Sequence, residues 1–162
     1  MEKILRSERL IRFQDCDPFN HLNNARYLDY FINAREDQVQ EHYNLAIYDY
    51  AKISGKGWVV ASNQISYIRP ATTMETVLIE SQLVQFTNKW LLVECRMWDK
   101  NQTELKAVMW TKLMQVDLKN GGITTHSDEH MQLFESVHAP VEAGSFEERS
   151  MQLIKQSKAV KA

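Results

Sequence analysis

At 162 residues, with 44% hydrophobic and 25% charged side chains, the chain has the composition of a folded soluble protein, which argues against wholesale disorder. A formal charge of −2 gives no basic footprint of nucleic-acid binding at the level of the whole chain, leaving only local basic patches open. Its two cysteines, Cys16 and Cys95, make neither a disulfide framework nor a metal-type Cys pair, and no apolar run suits a signal peptide or a membrane span, so a reducing, cytoplasmic setting is expected.

Ile4 to Phe13 reads as a strand, with charged residues interleaved among Ile4, Leu5, Leu10, Ile11 and Phe13. Pro18 interrupts regular structure, Asn20 to Asn24 offers several caps, and Tyr27, Leu28, Tyr30, Phe31, Ile32 and Ala34 then recur at helical spacing. That helix is predicted to run to about Tyr43, its first half enclosed and its polar second half, Arg35 to His42, emerging into solvent. Gly55 and Gly57 mark a loop. Four segments rich in β-branched and aromatic residues follow, roughly Trp58–Arg69, Thr76–Phe86, Trp90–Asp99 and Glu104–Leu118, and read as strands. The links between them, 70–75, 87–89 and 100–103, are short, which favours antiparallel neighbours. In the third segment Leu91, Val93, Cys95 and Met97 share one face and read as the core side.

Gly121-Gly122 ends the strand region, and Ser127 to Val137 is predicted to form a short helix capped by Ser127 or Thr125. Beyond Pro140, residues 145–156 have helical potential, with Lys155 to Ala162 expected to fray. No repeat or linker divides the chain, so one domain over 1–162 is expected, with a core at about 3–118 and a helical extension at about 125–158. A lone long helix cannot bury itself, but a curved antiparallel sheet wrapped around it buries both, an α+β arrangement.

The densest chemistry lies at the approach to the long helix, where 13–27 holds two carboxylates, a thiol, an imidazole and carboxamides. A helix start presents unpaired N–H groups and the positive end of the macrodipole, so an oxyanion forming there is stabilised. Asp17, just upstream, is within reach as nucleophile or base. The alternative for Asp17 is an Asx turn or remote cap, and for Asp15 turn stabilisation or orientation of Asp17. His21 either orients the carboxylate or an attacking water or is a structural hydrogen-bonding group, and Asn23 and Asn24 are favoured capping types. Cys16 lies between two aspartates that disfavour its thiolate, so it reads as a packed thiol. His126-Ser-Asp-Glu-His130 matches an H-x-x-E-H zinc pattern but has no evident third ligand, and no metal site is expected. Tyr27, Tyr30 and Phe31 read as core, and Arg69 either ends a strand or meets a phosphate.

Asp15-Cys-Asp17-Pro, then His21-Leu-Asn-Asn24-Ala-Arg-Tyr27-Leu-Asp-Tyr30 with Ala34-Arg35, and later Ser66-Tyr-Ile-Arg-Pro-Ala71, resemble the hotdog-fold acyl-CoA thioesterases, in particular the 4-hydroxybenzoyl-CoA thioesterase branch. The resemblance covers about residues 3 to 118. It implies a five-stranded antiparallel sheet curved around one central helix, and hydrolysis of an acyl thioester of CoA or acyl carrier protein. Carried over residue by residue, it implies Asp17 as nucleophile or general base, the Asn24 backbone N–H as oxyanion donor and His21 as an assistant. The plant acyl-carrier-protein thioesterases have a similar Asp-x-Asn-x-His arrangement, but Phe19 stands at its middle position. The resemblance further implies a homodimer or homotetramer, with CoA as part of the substrate and no separate cofactor. A non-catalytic acyl-thioester-binding module and a hotdog hydratase or dehydratase are the alternatives.

Overall fold

The computed structural model describes residues 1–161, with side chains described to residue 159. The central helix opens with one 3-10 turn at Asn24–Arg26 and continues as α1, Tyr27–Tyr43. Asn23 is its cap, the side-chain oxygen accepting the Ala25 N–H at 3.0 Å. Asn44, in the left-handed conformation at φ 53°, ends it where a β-branched residue would be strained. Tyr27, Phe31, Ala34 and Gln38 fall at helical spacing and are buried.

Expected emergence after Ala34 is corrected at Gln38, which is 1% exposed. Its amide donates to Ser7 Oγ at 2.8 Å and to the Ile79 carbonyl at 3.0 Å, and its oxygen accepts from Ser81 Oγ. A polar group so satisfied escapes the penalty of an unmade hydrogen bond, so polarity alone did not bring it to the surface.

Five strands form one antiparallel sheet: β1 (Ile4–Leu10), β2 (Lys56–Tyr67), β3 (Thr76–Phe86), β4 (Trp90–Asp99) and β5 (Leu105–Asp117), in the order β1-β3-β4-β5-β2. β1 stops three residues short of Phe13 because Phe13–Asp15 turns into a 3-10 helix. The links β3–β4 and β4–β5 join neighbours, as short links should. The link 70–75 does not, since β2 and β3 lie on different sides of the sheet. Curling of the sheet around α1 shortens that crossing, and the link passes over the start of the helix. There Ile68 and Arg69 donate to the Lys106 carbonyl (2.8 and 3.1 Å), Leu22 donates to Ala71 (2.8 Å) and Met74 to Ile11 (2.9 Å).

A second helix, α2 (Ile47–Ser54), lies in the stretch where sequence patterning marked only a glycine loop. Gly55, at φ 68°, caps it, a backbone state that glycine adopts freely, whereas Gly57 already belongs to β2. α3 (Asp128–Val137) is capped by Ser127, whose hydroxyl accepts the His130 N–H at 3.2 Å. α4 (Phe146–Lys161) continues through the segment expected to fray; Ala162 lies outside the described residues.

Leu91, Val93, Cys95 and Met97 do face the main core with α1. The opposite face of β4 is buried as well, because α4 lays Phe146 and Leu153 against Val84, Trp98, Val108 and Trp110. Among the described residues no helix is long and apolar enough to cross a membrane.

Candidate active site

The segment 15–24 is folded onto itself and onto the 68–75 link by its own backbone. Asp17 N–H donates to the His21 carbonyl at 2.8 Å, Asn20 N–H to Asp17 at 3.0 Å and Asn23 N–H to Asp15 at 2.9 Å, while Cys16 and Leu22 form an antiparallel bridge. Asn20 takes φ 65°, which asparagine tolerates well among non-glycine residues. Within this turn Asp17 Oδ1 accepts the N–H groups of Phe19 (2.9 Å) and His21 (3.1 Å). Asp17 is therefore a genuine Asx turn. Its Oδ2 has no hydrogen-bond partner among the described residues.

Three residues fix the helix start against this turn. Tyr67, at the end of β2, donates its hydroxyl to the Asn24 carbonyl at 2.9 Å, and its ring meets Tyr27 edge-on with centroids 5.1 Å apart. Tyr27 OH accepts the Ala71 N–H at 3.1 Å. Tyr30 OH accepts the Arg12 N–H at 2.9 Å and donates to Asp15 Oδ2 at 2.7 Å. Burial raises both the Tyr27 and Tyr30 hydroxyls above the ordinary phenol range, so each is a neutral hydrogen-bonding group near neutral pH.

The structure thus brings Asp17, His21 and Asn24 into one turn-and-helix unit. Contact between Asp17 and His21 runs through the His21 backbone, and no hydrogen bond joins the imidazole to Asp17 among the described residues. Asp15 is engaged by Tyr30 and lies 4.0 Å from Arg26 Nε. The Cys16 thiol donates to the Arg12 carbonyl at 3.4 Å. Cys95 is enclosed, and burial pushes its thiol up to about 12, which keeps it protonated. His126 and His130 are packed with Trp58 and Phe134, and no group of three potential ligands forms among the described residues.

A cavity of about 160 Å³ lies between α1 and the inner face of the sheet, bounded on one side by Leu133, Phe134 and Val137 of α3. Arg35, expected to emerge into solvent with the polar half of α1, instead stands on the wall of this cavity. Its signal was present, however: Leu28, Phe31, Arg35 and Val39 fall on one helical stripe, which places a cation on an apolar face. Tyr67 as an anchor of the helix start left no such signal, because its contact is 43 residues away in sequence.

Residues 11–149 match the sequence model of the Thioesterase-like superfamily. A stretch of 79 residues, 49% of this chain, is 33% identical to the long-chain acyl-CoA thioesterase FadM of Escherichia coli (strain K12) and spans 58% of that relative's length. Among solved structures, a DHNA-CoA thioesterase from Staphylococcus aureus superposes with a TM-score of 0.77 at 14% identity, covering 83% of this chain and 90% of that one. Another S. aureus protein, solved in complex with CoA, gives 0.77 at 11% identity, with 90% and 92% covered. At such identities the likeness is one of fold.

Proposed function

Because the chain belongs to the Thioesterase-like superfamily, we propose that it hydrolyses acyl-CoA thioesters, with Asp17 as nucleophile or general base and the start of α1 as the oxyanion site. One observation carries the residue assignment. Asp17 is locked through Oδ1 by two backbone N–H groups, which leaves Oδ2 unpaired in a turn stitched to the helix start. The first N–H groups of a helix have no intrahelical acceptor, so the Asn24 N–H is suited to polarise a thioester carbonyl and to stabilise the charge that develops on its oxygen. His21, in the same turn, serves to orient water.

Two balanced routes follow. As nucleophile, Asp17 Oδ2 attacks the carbonyl carbon, the carbon–sulfur bond breaks and CoA leaves as the thiol after taking a proton; water then cleaves the mixed anhydride to the acid and restores the carboxylate. As base, Asp17 takes a proton from water as its oxygen attacks the carbonyl, and the departing CoA thiolate takes up the proton. A single turnover in ¹⁸O-water separates them where water opens the anhydride at the Asp17 carbonyl carbon: the label then enters Asp17 and the product carries an unlabelled Asp17 oxygen, whereas on the base route the label enters the product. The FadM relative is described as a long-chain enzyme, so long-chain acyl-CoAs are the first substrates to try, alongside short and aromatic ones.

The test is a thiol-release assay across that series with Asp17→Asn in parallel. Loss of about 10²–10⁴-fold in kcat/KM is expected. Turnover unaffected by the substitution overturns the assignment, and tight binding of intact acyl-CoA without any release identifies a binding module instead. Hydration of an enoyl-CoA identifies a hydratase.

Assembly belongs to the same proposal. β2 is an edge strand whose side chains at 59–64 are all exposed, including Val59 and Val60, and an uncovered apolar edge is a template for pairing with a second copy. Light scattering is expected to give a dimer or a multiple of one; a monomer at micromolar concentration overturns this.

A further inference from the structure

Two polar groups on a mostly apolar cavity wall are incompletely paired, half-buried Arg35 and buried Thr111. Arg35 is the first. Its guanidinium donates from Nη1 to Ser81 Oγ at 3.0 Å and also interacts with the Tyr43 side chain, its Cζ lying 5.8 Å from the centre of that ring. No carboxylate pairs with it among the described residues. Glu36 also lines the cavity, but its carboxylate faces the Tyr48 hydroxyl at 3.3 Å. Elsewhere in the molecule buried guanidinium groups are neutralised: Arg96 and Arg149 both bind Glu94. Burial pulls the Arg35 guanidinium below the usual arginine range, the expected response of a desolvated cation without a counter-ion.

The second group is Thr111, whose buried Oγ1 has no hydrogen-bond partner. Strand register relates the two. Ser81, Cys95 and Met109 form one cross-strand row, and Leu83, Val93 and Thr111 the next row on the same face, about 7 Å along the strands. Ser81 also donates to Gln38, so the hydroxyl that holds Arg35 is itself held. Arg35 is therefore a positioned cation, with no carboxylate beside it and donors left for a further acceptor.

Its position along the helix connects it with the proposed chemistry. Asn24, Leu28, Phe31 and Arg35 follow one face of the helix, and the rise from Asn24 to Arg35 is about 16 Å. β2 flanks this face, with Tyr67 at Asn24 and with Trp58 and Val60 on the cavity wall.

We propose that the cavity receives the distal part of the acyl chain, and that Arg35 and Thr111 recognise an oxygen acceptor carried on that chain far from the thioester, as a hydroxyl or terminal carboxylate. The inference rests on the thioesterase reading and adds a substrate class to it. An unsubstituted chain would fill the apolar wall but leave the guanidinium unanswered, and sites built around buried polar groups discriminate strongly against ligands that leave them unpaired.

The test compares kcat/KM for dodecanoyl-CoA, ω-hydroxydodecanoyl-CoA and the CoA monothioester of dodecanedioic acid, with wild type, Arg35→Met and Thr111→Val. Wild type is expected to favour at least one oxygenated chain by about tenfold or more over the plain one. Preference for the hydroxyl alone identifies a neutral acceptor and preference for the carboxylate an anionic one. Arg35→Met should bring the ratio close to one by raising turnover of the plain chain and lowering that of the oxygenated chain, and Thr111→Val should reduce the ratio in part. A wild type that favours the plain chain, or a ratio unchanged in Arg35→Met, overturns the proposal. Should Arg35→Met fail to fold, the wild-type ratio and the near-isosteric Thr111→Val still decide it. If no acyl-CoA is turned over, the thioesterase reading fails separately. Calorimetric titration with dodecanoate, ω-hydroxydodecanoate and dodecanedioate then tests the cavity alone: tighter binding of an oxygenated acid that Thr111→Val weakens supports it, and equal binding overturns it.

Discussion

Asp17 serves both as an acceptor for its own turn and as the proposed reacting group, and two substitutions separate these roles. Asparagine keeps an oxygen where Oδ1 receives the Phe19 and His21 N–H groups, so Asp17→Asn is expected to melt close to wild type while losing turnover. Alanine removes that acceptor and is expected to lose about 1–3 kcal/mol as well, measured by denaturant unfolding. Tyr27→Phe isolates the anchoring of the helix start. It strands the Ala71 N–H at a residue that is fully buried, so a loss of about 1–3 kcal/mol is expected with Asp17 untouched. The Asp17 turn and the Asn24 helix start were legible in the sequence because their geometry is set by residues within a few positions of each other. Tyr67, Ala71 and Arg35 owe their places to strand pairing and to a crossing link, and no local pattern announces them.

α3 was also legible, through its Ser127 cap and apolar spacing, but what lies beneath it was not. His126 and His130 matched a metal pattern, yet their rings pack with Trp58, Tyr50 and Phe134 under the helix. Trp58 Nε1 donates to His126 Nε2 at 3.1 Å, which leaves Nδ1 as the protonated nitrogen, donating to the Thr87 carbonyl at 3.0 Å. A second proton on Nε2 would face the indole N–H, donor against donor. Burial lowers the pKa of both histidines, and the neighbouring ring lowers that of His126 further. With folded values below the unfolded 6.5, the unfolded chain binds more protons in acid. Stability is accordingly full above about pH 6.5 and is lost as pH falls through the folded values, each unit of depression being worth about 1.4 kcal/mol. Thermal melts between about pH 7 and about pH 5 should show Tm falling, with a smaller fall in His126→Gln; a flat profile in the wild type would contradict this. Because α3 closes one side of the cavity, binding of a long acyl chain should weaken over the same range. α2 illustrates the opposite case, since the helical spacing of Ile47, Tyr50 and Ala51 runs for only eight residues before the capping Gly55, too short to stand out from a loop.

A sheet curved around α1 buries one face, and the arrangement expected from one helix and five strands is the one observed. The outer face follows a different logic. Glu94 and Arg96 stand on the face of β4 opposite Leu91, Val93, Cys95 and Met97, and charge is the usual mark of exposure. Instead Glu94 is 0% exposed, with Trp110 Nε1 donating at 2.7 Å, Arg96 at 2.9 Å and Arg149 bidentately at 2.8 Å. Arg149 comes from α4, so the C-terminal helix is fastened across the sheet by charge as well as by Phe146 and Leu153. Ser157 adds a further tie, accepting the Leu105 N–H at 3.1 Å. Removing the shared acceptor is worse than removing one donor, because Arg149 is left without its carboxylate, the Trp110 N–H is stranded and Arg96 keeps only Glu80 at 3.1 Å. Glu94→Ala is therefore expected to lose roughly 3–5 kcal/mol, while Arg149→Ala, which leaves Glu94 its bonds to Arg96 and Trp110, should lose less. The double variant should fall short of the sum, since both changes break the same pair. Denaturant unfolding of the three variants checks the order. Thiol release by Arg149→Ala should stay near wild type, because α4 lies on the sheet face opposite α1 and the Asp17 turn. Negligible losses in both single variants would mean that α4 is held by its apolar face alone and that the ion pairs beneath it contribute only specificity.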